Sequence, residues 1–306
     1  MPVGMIDVGD KPVSLRTATA EGVLRFGEET YYLIRDGSSP KGNIHEMARI
    51  SGTMGAKKTP DLIPYCHTIP IDSIKVNTRI ERTCITITVN VKSIWNTGVE
   101  MEALTGVSIA ALSVYDILKP LDSSVTIESI KLLEKHGGLE DFKEKQPLEV
   151  SAAVLTISDS RTIEEDKSGK LLIEVLKNQG FRIVEYKILP DDKEIITNEL
   201  LNLTDDKKVN IVITTGGTGV GPRDVTPEAT SNILEKELDG IVENLRGYGQ
   251  KRTPLSMLSR GMAGIRGNTL IINMPGSYTA VTQSLNALFP GIMHIFRMIS
   301  GDNHLK

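Results

Sequence analysis

An acidic and a basic side chain stand three residues apart at Asp116 and Lys119, inside a segment whose apolar spacing predicts a helix. Side chains with this spacing share one face of a helix, so each can shift the pKa of the other and take part in acid–base chemistry. The same spacing is typical of an exposed ion pair, which contributes less than about 1 kcal/mol. Spacing alone therefore leaves both interpretations open.

Other candidates in the first half of the chain are common residue types that become suggestive only together. A lysine pair is usually a solvated surface feature, and a lone histidine is usually structural. Two carboxylates at the start of an otherwise apolar predicted helix are less ordinary. These candidates are Lys41 in a Ser-Ser-Pro-Lys-Gly turn, Lys57 with Lys58, the consecutive Tyr65, Cys66 and His67, and Glu100 with Glu102.

A glycine-rich segment in the second half, TTGGTGVGPRDVTPE at residues 214–228, follows an apolar strand pattern and precedes a predicted helix with Pro227 in its first turn. Glycines let the backbone approach a phosphate or a pterin, and a helix N-terminus offers unpaired N–H groups. Pro222 and Arg223 stand where a Walker A loop carries lysine and a hydroxyl residue. The segment predicts a different anion site, with a generic turn as the alternative. Asp224 could bind a ligand or cap the helix.

The elements that position the first group of candidates are a hairpin and a long helix. Residues 73–91 alternate apolar and polar side chains around a turn at Glu81 and Arg82, which predicts two half-buried strands. Apolar residues recur every three or four positions over residues 98–119, and Pro120 ends the pattern. Together these elements indicate an antiparallel α+β domain.

The second half alternates strand and helix patterns, which predicts a mainly parallel three-layer α/β sheet. A further apolar strand at residues 270–273 runs into Pro275 and Gly276, and a helix is predicted around residues 285–295. The alternating segments are residues 152–157, 171–176, 182–189, 195–203 and 209–215.

Chain length and composition indicate a packed protein with two domains. The 306 residues are 40% hydrophobic and 24% charged, which is ordinary for globular proteins. Gly137 and Gly138 precede a charged stretch that marks the break between the two patterns. We therefore predict domains at residues 1–143 and 151–306, joined by a linker at residues 144–150.

The charge balance and the two cysteines limit which partners and which cellular compartment the sequence favours. A net charge of −4 and 4% aromatic residues disfavour nucleic acid and anionic membranes as partners. Cys66 and Cys84 form neither a zinc motif nor a disulfide framework, which favours a reducing compartment. Residues 1–10 lack a signal pattern, and no uninterrupted apolar run approaches the roughly 18 residues of a membrane span. We expect a cytoplasmic protein.

Three ordered motifs of the first half resemble the MoaC family, cyclic pyranopterin monophosphate synthase: GAKKTPDLIPYCH at residues 55–67, GVEMEALT at residues 98–105 and YDILK at residues 115–119. The resemblance implies a ferredoxin-like fold, a hexamer, and conversion of cyclised GTP to cyclic pyranopterin monophosphate with release of pyrophosphate. It makes Lys41, Asp116 and Lys119 catalytic. It also implies that the substrate is bound by Lys57, Tyr65, Cys66, His67, Met101, Glu102 and Lys135.

The predicted helix separates two of these residues. Glu102 and Asp116 are 14 positions apart in the sequence, and a helix rises about 1.5 Å per residue, so they would lie roughly 21 Å apart along one axis. Either the helix begins after Glu102, or the site takes residues from two copies of the chain. We favour the second possibility, which would make oligomerisation necessary for activity.

Four motifs of the second half resemble the MogA/MoaB family of molybdopterin adenylyltransferases: TGGTG at residues 215–219, RDVTPE at residues 223–228, SRGMAG at residues 259–264 and NMPGS at residues 273–277. The resemblance implies a trimer that binds ATP with Mg²⁺ and adenylylates molybdopterin, with no tightly bound organic cofactor. It makes Asp191 and Asp224 the candidate Mg²⁺ ligands. The implied pterin and nucleotide site comprises Asp159, Asp191, Thr215, Gly216, Gly217, Thr218, Gly219, Asp224, Ser259, Pro275, Gly276 and Ser277.

Two alternatives remain open from the sequence. The second domain could bind a pterin or a nucleotide without catalysis and mainly organise a trimer or hexamer, although Asp191 and Asp224 argue against it. The lysine-rich first half could instead hydrolyse nucleoside triphosphates. Tyr278, where many relatives carry a small residue or proline, could narrow the second pocket.

Overall fold

The computed structural model describes residues 3–36, 39, 41–143 and 149–301. The chain divides into two compact units, Met1–Asp141 and Phe142–Lys306. Each unit has its own sheet and its own hydrophobic core, as expected for two domains. Of the predicted linker, residues 144–148 lie outside the described part of the chain.

The first unit has the element order of a ferredoxin-like fold, in which two strands flank a helical crossover and a hairpin leads into a second helix. Its elements are β1 (Ser14–Arg25), α1 (Glu28–Arg35), α2 (Ile44–Lys57), α3 (Thr59–Leu62), β2 (Ser73–Glu81), β3 (Cys84–Trp95), α4 (Glu100–Leu118) and β4 (Thr126–His136). All strand pairs are antiparallel, and the sheet order is β2-β3-β1-β4. The predicted fold class of this domain is confirmed.

Helix α4 forms the centre of the first core. Its apolar stripe, including Val107, Ala111 and Val114, is fully buried against the sheet and α2. Glycines at Gly52 and Gly106 allow α2 and α4 to pack closely, since a Cβ on Gly106 would lie 3.0 Å from the carbonyl of Gly52. Among the described helices, α4 alone is long and apolar enough to span a membrane, and 56% of that window is buried, as in a core helix.

The second unit contains a six-stranded sheet in the order β6-β5-β7-β10-β9-β8. Its strands are β5 (Ser151–Ile157), β6 (Arg182–Leu189), β7 (Ile211–Thr215), β8 (Lys236–Glu237), β9 (Ala263–Arg266) and β10 (Thr269–Met274). Its helices are α5 (Lys167–Asn178), α6 (Lys193–Leu201), α7 (Thr226–Ser231), α8 (Asp239–Gln250), α9 (Tyr278–Leu288) and α10 (His294–Ser300). Strands β6, β5, β7 and β10 are parallel to one another. Strand β9 is antiparallel to both of its neighbours, β10 and β8. The predicted α/β fold is confirmed.

One predicted helix of the second unit differs in the structure. The apolar pattern at residues 285–295 belongs to two helices, because α9 ends at Leu288 and α10 begins at His294. Pro290 lies between them and has no N–H to continue the first helix. The apolar side chains on both sides, Leu285 and Phe296, still enter one core.

Two candidate functional sites

The first candidate site contains the predicted acid–base pair and a second lysine. We call Lys41, Asp116 and Lys119 the Asp116 cluster. The Nζ atom of Lys119 lies 2.7 Å from one carboxylate oxygen of Asp116, and that of Lys41 lies 2.5 Å from the other. Hydrogen bonds from Lys119 and Lys41 lower the pKa of Asp116 to about 2. All three side chains are about half exposed, so the cluster is open to a ligand.

A second group lies at the opposite end of α4. We call Cys66, Glu100, Glu102 and Lys135 the Glu102 cluster. Lys135 on β4 pairs with Glu100 at 3.1 Å. Glu102 is only 2% exposed, and its Oε2 atom has no hydrogen-bond partner within the described residues. Burial raises the pKa of Glu102 to about 7. A backbone hydrogen bond opposes this shift, and the negative charge of Glu100 adds to it. Burial raises the pKa of the Cys66 thiol, and the negative charge of Glu102 raises it further.

The remaining predicted residues of the first domain lie toward the Glu102 end of α4. Helix α2 runs antiparallel to α4, since Gly52 faces Ala110 while Gly55 faces Thr105 and Ile109. Lys57, at the end of α2, is therefore carried toward the start of α4. Tyr65 and His67 flank Cys66 in the chain, and Met101 is 38% exposed on the first turn of α4.

The continuous helix decides one of the open alternatives. Because α4 extends from Glu100 to Leu118, it contains both Glu102 and Asp116, and the suggestion that it begins after Glu102 is wrong. The Asp116 cluster and the Glu102 cluster therefore lie roughly 21 Å apart along one helix. One chain does not bring all the predicted residues together.

Sequence reasoning missed a buried arginine beside the Glu102 cluster. Arg16 on β1 is 6% exposed and lines a cavity of about 430 Å³ together with Lys11, Glu100 and Lys135. Burial lowers the pKa of Arg16, while the charges of Glu100 and Asp141 oppose that shift. A single arginine in a strand pattern gave no signal, because its neighbours in space come from distant parts of the chain.

The second candidate site lies where four parallel strands end. The carboxyl ends of β5, β6, β7 and β10 lead to Asp159, Asp191, Gly216 and Pro275, respectively. This edge of an open α/β sheet is where such folds bind ligands. The structure thus places side by side the predicted residues that lie between residues 159 and 277 in the sequence.

The glycine-rich loop after β7 has a backbone that only glycine tolerates. Gly216 has a φ of +104°, and a Cβ there would lie 2.3 Å from the carbonyl oxygen of Ile157. Gly217 has a φ of +62°, and its Cβ would lie 3.1 Å from Oδ1 of Asp191. The glycines therefore let the loop pass directly over β5 and the carboxylate of Asp191.

Three carboxylates meet beside this loop. The N–H of Asp191 donates to Oδ1 of Asp159 at 3.2 Å, and Arg223 forms an ion pair with Asp159. Burial and the negative charge of Asp159 raise the pKa of Asp191. The charge of Arg223 opposes this rise, and the charge of Asp224 adds to it. In the described part of the chain, no three His, Cys, Asp or Glu side chains are placed to hold a metal ion by themselves.

Asp224 does not cap the following helix. The N-cap residue of α7 is Val225, and Oδ2 of Asp224 instead accepts the N–H of Gly221 at 2.7 Å. This bond closes the turn that carries Arg223. The geometry therefore does not support the capping interpretation of Asp224.

Arg260, whose contacts the sequence did not predict, fastens the glycine-rich loop. Its Nε donates to the carbonyl of Gly219 at 2.6 Å, one Nη donates to the carbonyl of Asp224 at 2.7 Å, and the guanidinium pairs with Glu228. Thr215 adds a bond from Oγ1 to the carbonyl of Pro275 at 2.8 Å. The loop is thus held by groups from within the SRGMAG and NMPGS motifs.

A cavity of about 460 Å³ lies beside the SRGMAG and NMPGS motifs. It is lined by Ser259, Pro275 and Ser277 among the predicted residues, and Arg246 and Arg252 add two cations. Tyr278 is 52% exposed and does not line this cavity. Tyr278 therefore does not narrow this cavity.

Comparisons with known proteins match both halves of the chain. The MoaC family matches residues 5–138, and a family described as a probable molybdopterin binding domain matches residues 153–294. The cyclic pyranopterin monophosphate synthase of Thermomicrobium roseum is 46% identical over 136 residues, which cover 44% of this chain and 82% of that protein. A solved MoaB structure from Thermus thermophilus is 37% identical, covering 50% of this chain and 97% of that one, with a TM-score of 0.47.

A full-length relative joins the two matches. The molybdenum cofactor biosynthesis bifunctional protein of Chlorobaculum tepidum is 37% identical over 304 residues, which cover 99% of this chain and 96% of that protein. A protein with the same description from Synechococcus elongatus is 36% identical over 315 residues, which cover 98% of each chain. The chain therefore belongs to the family of bifunctional molybdenum cofactor biosynthesis proteins, with a MoaC domain followed by a MogA/MoaB-like domain.

Proposed function

We propose that the first domain converts cyclised GTP to cyclic pyranopterin monophosphate with release of pyrophosphate, and that the second adenylylates molybdopterin with ATP. The observation that carries the first assignment is the Asp116 carboxylate held between two lysines. The observation that carries the second is the glycine-rich loop closed over Asp191.

The Asp116 cluster suits a substrate that brings its own negative charge. With both lysines in place, Asp116 is a weak base because its pKa is about 2. Phosphate oxygens that draw Lys41 or Lys119 away would let that pKa rise toward its ordinary value. Asp116 could then accept a proton from the bound substrate, a role that typically contributes on the order of 10² to 10⁴ in rate.

The Glu102 cluster supplies the complementary group. A carboxyl with a pKa of about 7 is partly protonated at neutral pH, so Glu102 can donate a hydrogen bond or a proton that Asp116 cannot. Pairs of acids whose pKa values are driven apart by their surroundings are typical of acid–base catalysis. Lys135 and the buried Arg16 place cations beside Glu100, where pyrophosphate oxygens would bind.

Because the two clusters are roughly 21 Å apart along α4, we propose that one complete site combines the Asp116 cluster of one chain with the Glu102 cluster of another. Mixing inactive Asp116→Ala and Glu102→Ala chains should then restore activity, to about a quarter of the wild-type value for random pairing. The matched control mixes Asp116→Ala with Lys119→Ala, which share one cluster. Equal absence of activity in both mixtures would contradict the composite site.

The reaction of the first domain is tested by mass spectrometry of its products. Cyclised GTP should yield cyclic pyranopterin monophosphate and pyrophosphate in equal amounts. Pyrophosphate released from ordinary GTP without pterin formation would instead identify a nucleotide hydrolase, the alternative left open by the sequence.

The residues of the second site fit Mg²⁺ only as part of a nucleotide complex. Mg²⁺ usually takes one or two carboxylates and completes its shell with phosphates and water, and the mutual repulsion of Asp159, Asp191 and Asp224 favours a cation there. When bound with ATP, Mg²⁺ would neutralise phosphate charge. The chain itself would hold the nucleotide through the loop backbone and place the pterin against Ser259 and Ser277.

The second assignment is tested with molybdopterin, ATP and Mg²⁺. We expect adenylylated pterin and pyrophosphate from the wild-type protein, and no product from Asp224→Ala. Asp205→Ala is the control, because Asp205 pairs with Arg266 at 2.6 Å in a different part of the domain. Intact pterin binding without any adenylylated product from the wild type would favour the non-catalytic binding module.

A further inference from the structure

A fully buried carboxylate lies behind the second site without touching it. Asp166 is 0% exposed and accepts hydrogen bonds from the N–H of Gly169 at 3.0 Å, Oγ1 of Thr156 at 2.5 Å and the hydroxyl of Tyr186 at 2.8 Å. Burial alone would raise the pKa of Asp166, but these bonds outweigh it and the pKa lies below its ordinary value. The group is therefore a buried anion tied to β5, β6 and the start of α5.

Two neighbours of Asp166 reach the NMPGS loop. Arg161 lies 3.8 Å from Oδ1 of Asp166, and its Nη1 donates to the carbonyl of Gly276 at 3.2 Å. Ser168, which is 2% exposed, donates its hydroxyl to the same carbonyl at 3.1 Å. One carbonyl of the ligand-facing edge thus receives two side-chain donors from the segment that Asp166 anchors.

Gly276 in turn contacts the glycine-rich loop. A Cβ on Gly276 would lie 3.2 Å from Cα of Gly216, so the two backbones are packed face to face. The N–H of Gly216 also donates to the carbonyl of Met274 at 3.1 Å. A shift of Gly276 would therefore be transmitted directly to the glycine-rich loop, whose Gly217 lies beside Asp191.

The same segment carries a carboxylate of the site. Ser158 accepts the N–H of Arg161 at 3.3 Å, which closes the turn around Asp159. Oδ1 of Asp159 then accepts the N–H of Asp191. The segment from Ser158 to Ser168 thus contacts both sides of the proposed nucleotide site. It meets Gly276 on one side and carries Asp159 on the other.

We propose that Asp166 is a positioning residue: through Arg161 and Ser168 it fixes the carbonyl of Gly276 and thereby sets the spacing between the NMPGS loop and the glycine-rich loop. This proposal rests on the adenylyl transfer proposed above for its effect on rate. It does not make Asp166 catalytic, because Asp166 is buried and its contacts are all within the protein. Misplacement of reacting groups by about 1 Å can cost on the order of 10²-fold in rate.

The test uses the full chain and two readouts, the kinetics of adenylyl transfer and amide hydrogen exchange at Gly216. We expect the Arg161→Ala, Ser168→Ala double variant to lose roughly 10- to 100-fold in kcat, with a smaller change in KM for ATP. Exchange at Gly216 should become faster while global unfolding changes little. Replacing Arg161 by lysine instead of alanine should preserve part of kcat, since an ammonium group can still donate to the carbonyl of Gly276. Lys167→Ala, an exposed neighbour on the same turn, should match the wild type.

The outcomes separate the two proposals. Either readout at its wild-type value in the double variant overturns the positioning role when the wild type is active. If Asp166 only stabilises the fold, Asp166→Asn will lower the Tm while the double variant keeps its kcat. If the wild type makes no adenylylated pterin, the proposed reaction fails, and the exchange rate at Gly216 alone decides whether the positioning holds.

Discussion

At the Asp116 cluster the charged groups are exposed side chains that neutralise one another, whereas at the glycine-rich loop the polar groups are backbone atoms fixed by neighbouring hydrogen bonds. Lys41 and Lys119 can turn away from Asp116 at little cost, because exposed ion pairs contribute little to stability. Gly216 cannot move without disturbing Ile157 and Gly276. The Asp116 cluster can therefore rearrange at little cost in stability, whereas the glycine-rich loop is held in one conformation by its packing.

The largest expected effect would come from removing the charge at the centre of the rearrangeable site. Asp116→Asn should lower kcat/KM for pterin formation by about 10² to 10⁴, while thermal unfolding changes little because the side chain is exposed. The control is Glu46→Gln, whose carboxylate forms an exposed ion pair with Arg49 at the same three-residue spacing. Wild-type kinetics in Asp116→Asn would reduce the Asp116 cluster to a surface ion pair.

At the glycine-rich loop, a change of the backbone should lower the stability of the fold. Gly216→Ala places a methyl group against the carbonyl of Ile157 at a positive φ, so we expect a loss of roughly 2 to 4 kcal/mol in the free energy of unfolding. Gly247→Ala is the control, since a Cβ on this helical glycine meets nothing within 4 Å. It should be neutral or stabilise by up to about 1 kcal/mol. Equal stability of the two variants would show that the loop adapts.

Glu102 should make the first domain less stable as the pH rises. Its pKa of about 7 in the folded chain exceeds the value of about 4.3 expected on unfolding. Between these values the folded state binds more protons, so the free energy of unfolding falls from about pH 4 to pH 7 and stays low above it. Glu102→Gln should remove this decline, a difference on the order of 3 to 4 kcal/mol at pH 8.

Denaturant unfolding at several pH values measures the difference between wild type and variant. The exposed Glu29 on α1 provides the comparison, and Glu29→Gln should leave the pH dependence as it is. Parallel curves for Glu102→Gln and the wild type would mean that Glu102 is ionised in the fold at neutral pH.

The smallest effect is a shift of the Asp116 pKa itself. Lys119→Met removes the largest cause of its low value, so carbon NMR of the carboxyl should show the pKa rising from about 2 toward the ordinary value of about 3.9. Stability contributed by the pairing is present above that ordinary value and is lost as the pH falls toward 2. Lys131→Met, which removes the partner of Glu21 instead, should leave Asp116 unaffected. A pKa that stays at about 2 in Lys119→Met would contradict the assignment.

Local periodicity was sufficient to predict three elements of the first domain. The alternation over residues 73–91 corresponds to β2 and β3, and the apolar spacing over residues 98–119 corresponds to α4. Both patterns reflect one buried and one exposed face of a single element. Strand β4 gave no such pattern, because most of its residues are exposed in the single chain.

Contacts between distant segments could not be predicted in this way. Nothing in the spacing of Arg16 or Arg260 indicates that each contacts groups far away in the sequence. Pro290 is a visible break, yet the apolar residues around it share one core and mimic a continuous helix. Family resemblance supplied residue identities at both sites, but the distance along α4 between Glu102 and Asp116 followed from helix geometry alone.

The central claim is that the two domains carry out independent reactions, and product analysis on two variants of the full chain tests it most directly. Wild-type protein, Asp116→Ala and Asp224→Ala are each supplied with cyclised GTP and, separately, with molybdopterin, ATP and Mg²⁺. We predict that Asp116→Ala loses only cyclic pyranopterin monophosphate and that Asp224→Ala loses only adenylylated molybdopterin. Loss of both products in either variant, or of neither product in both, would contradict the account.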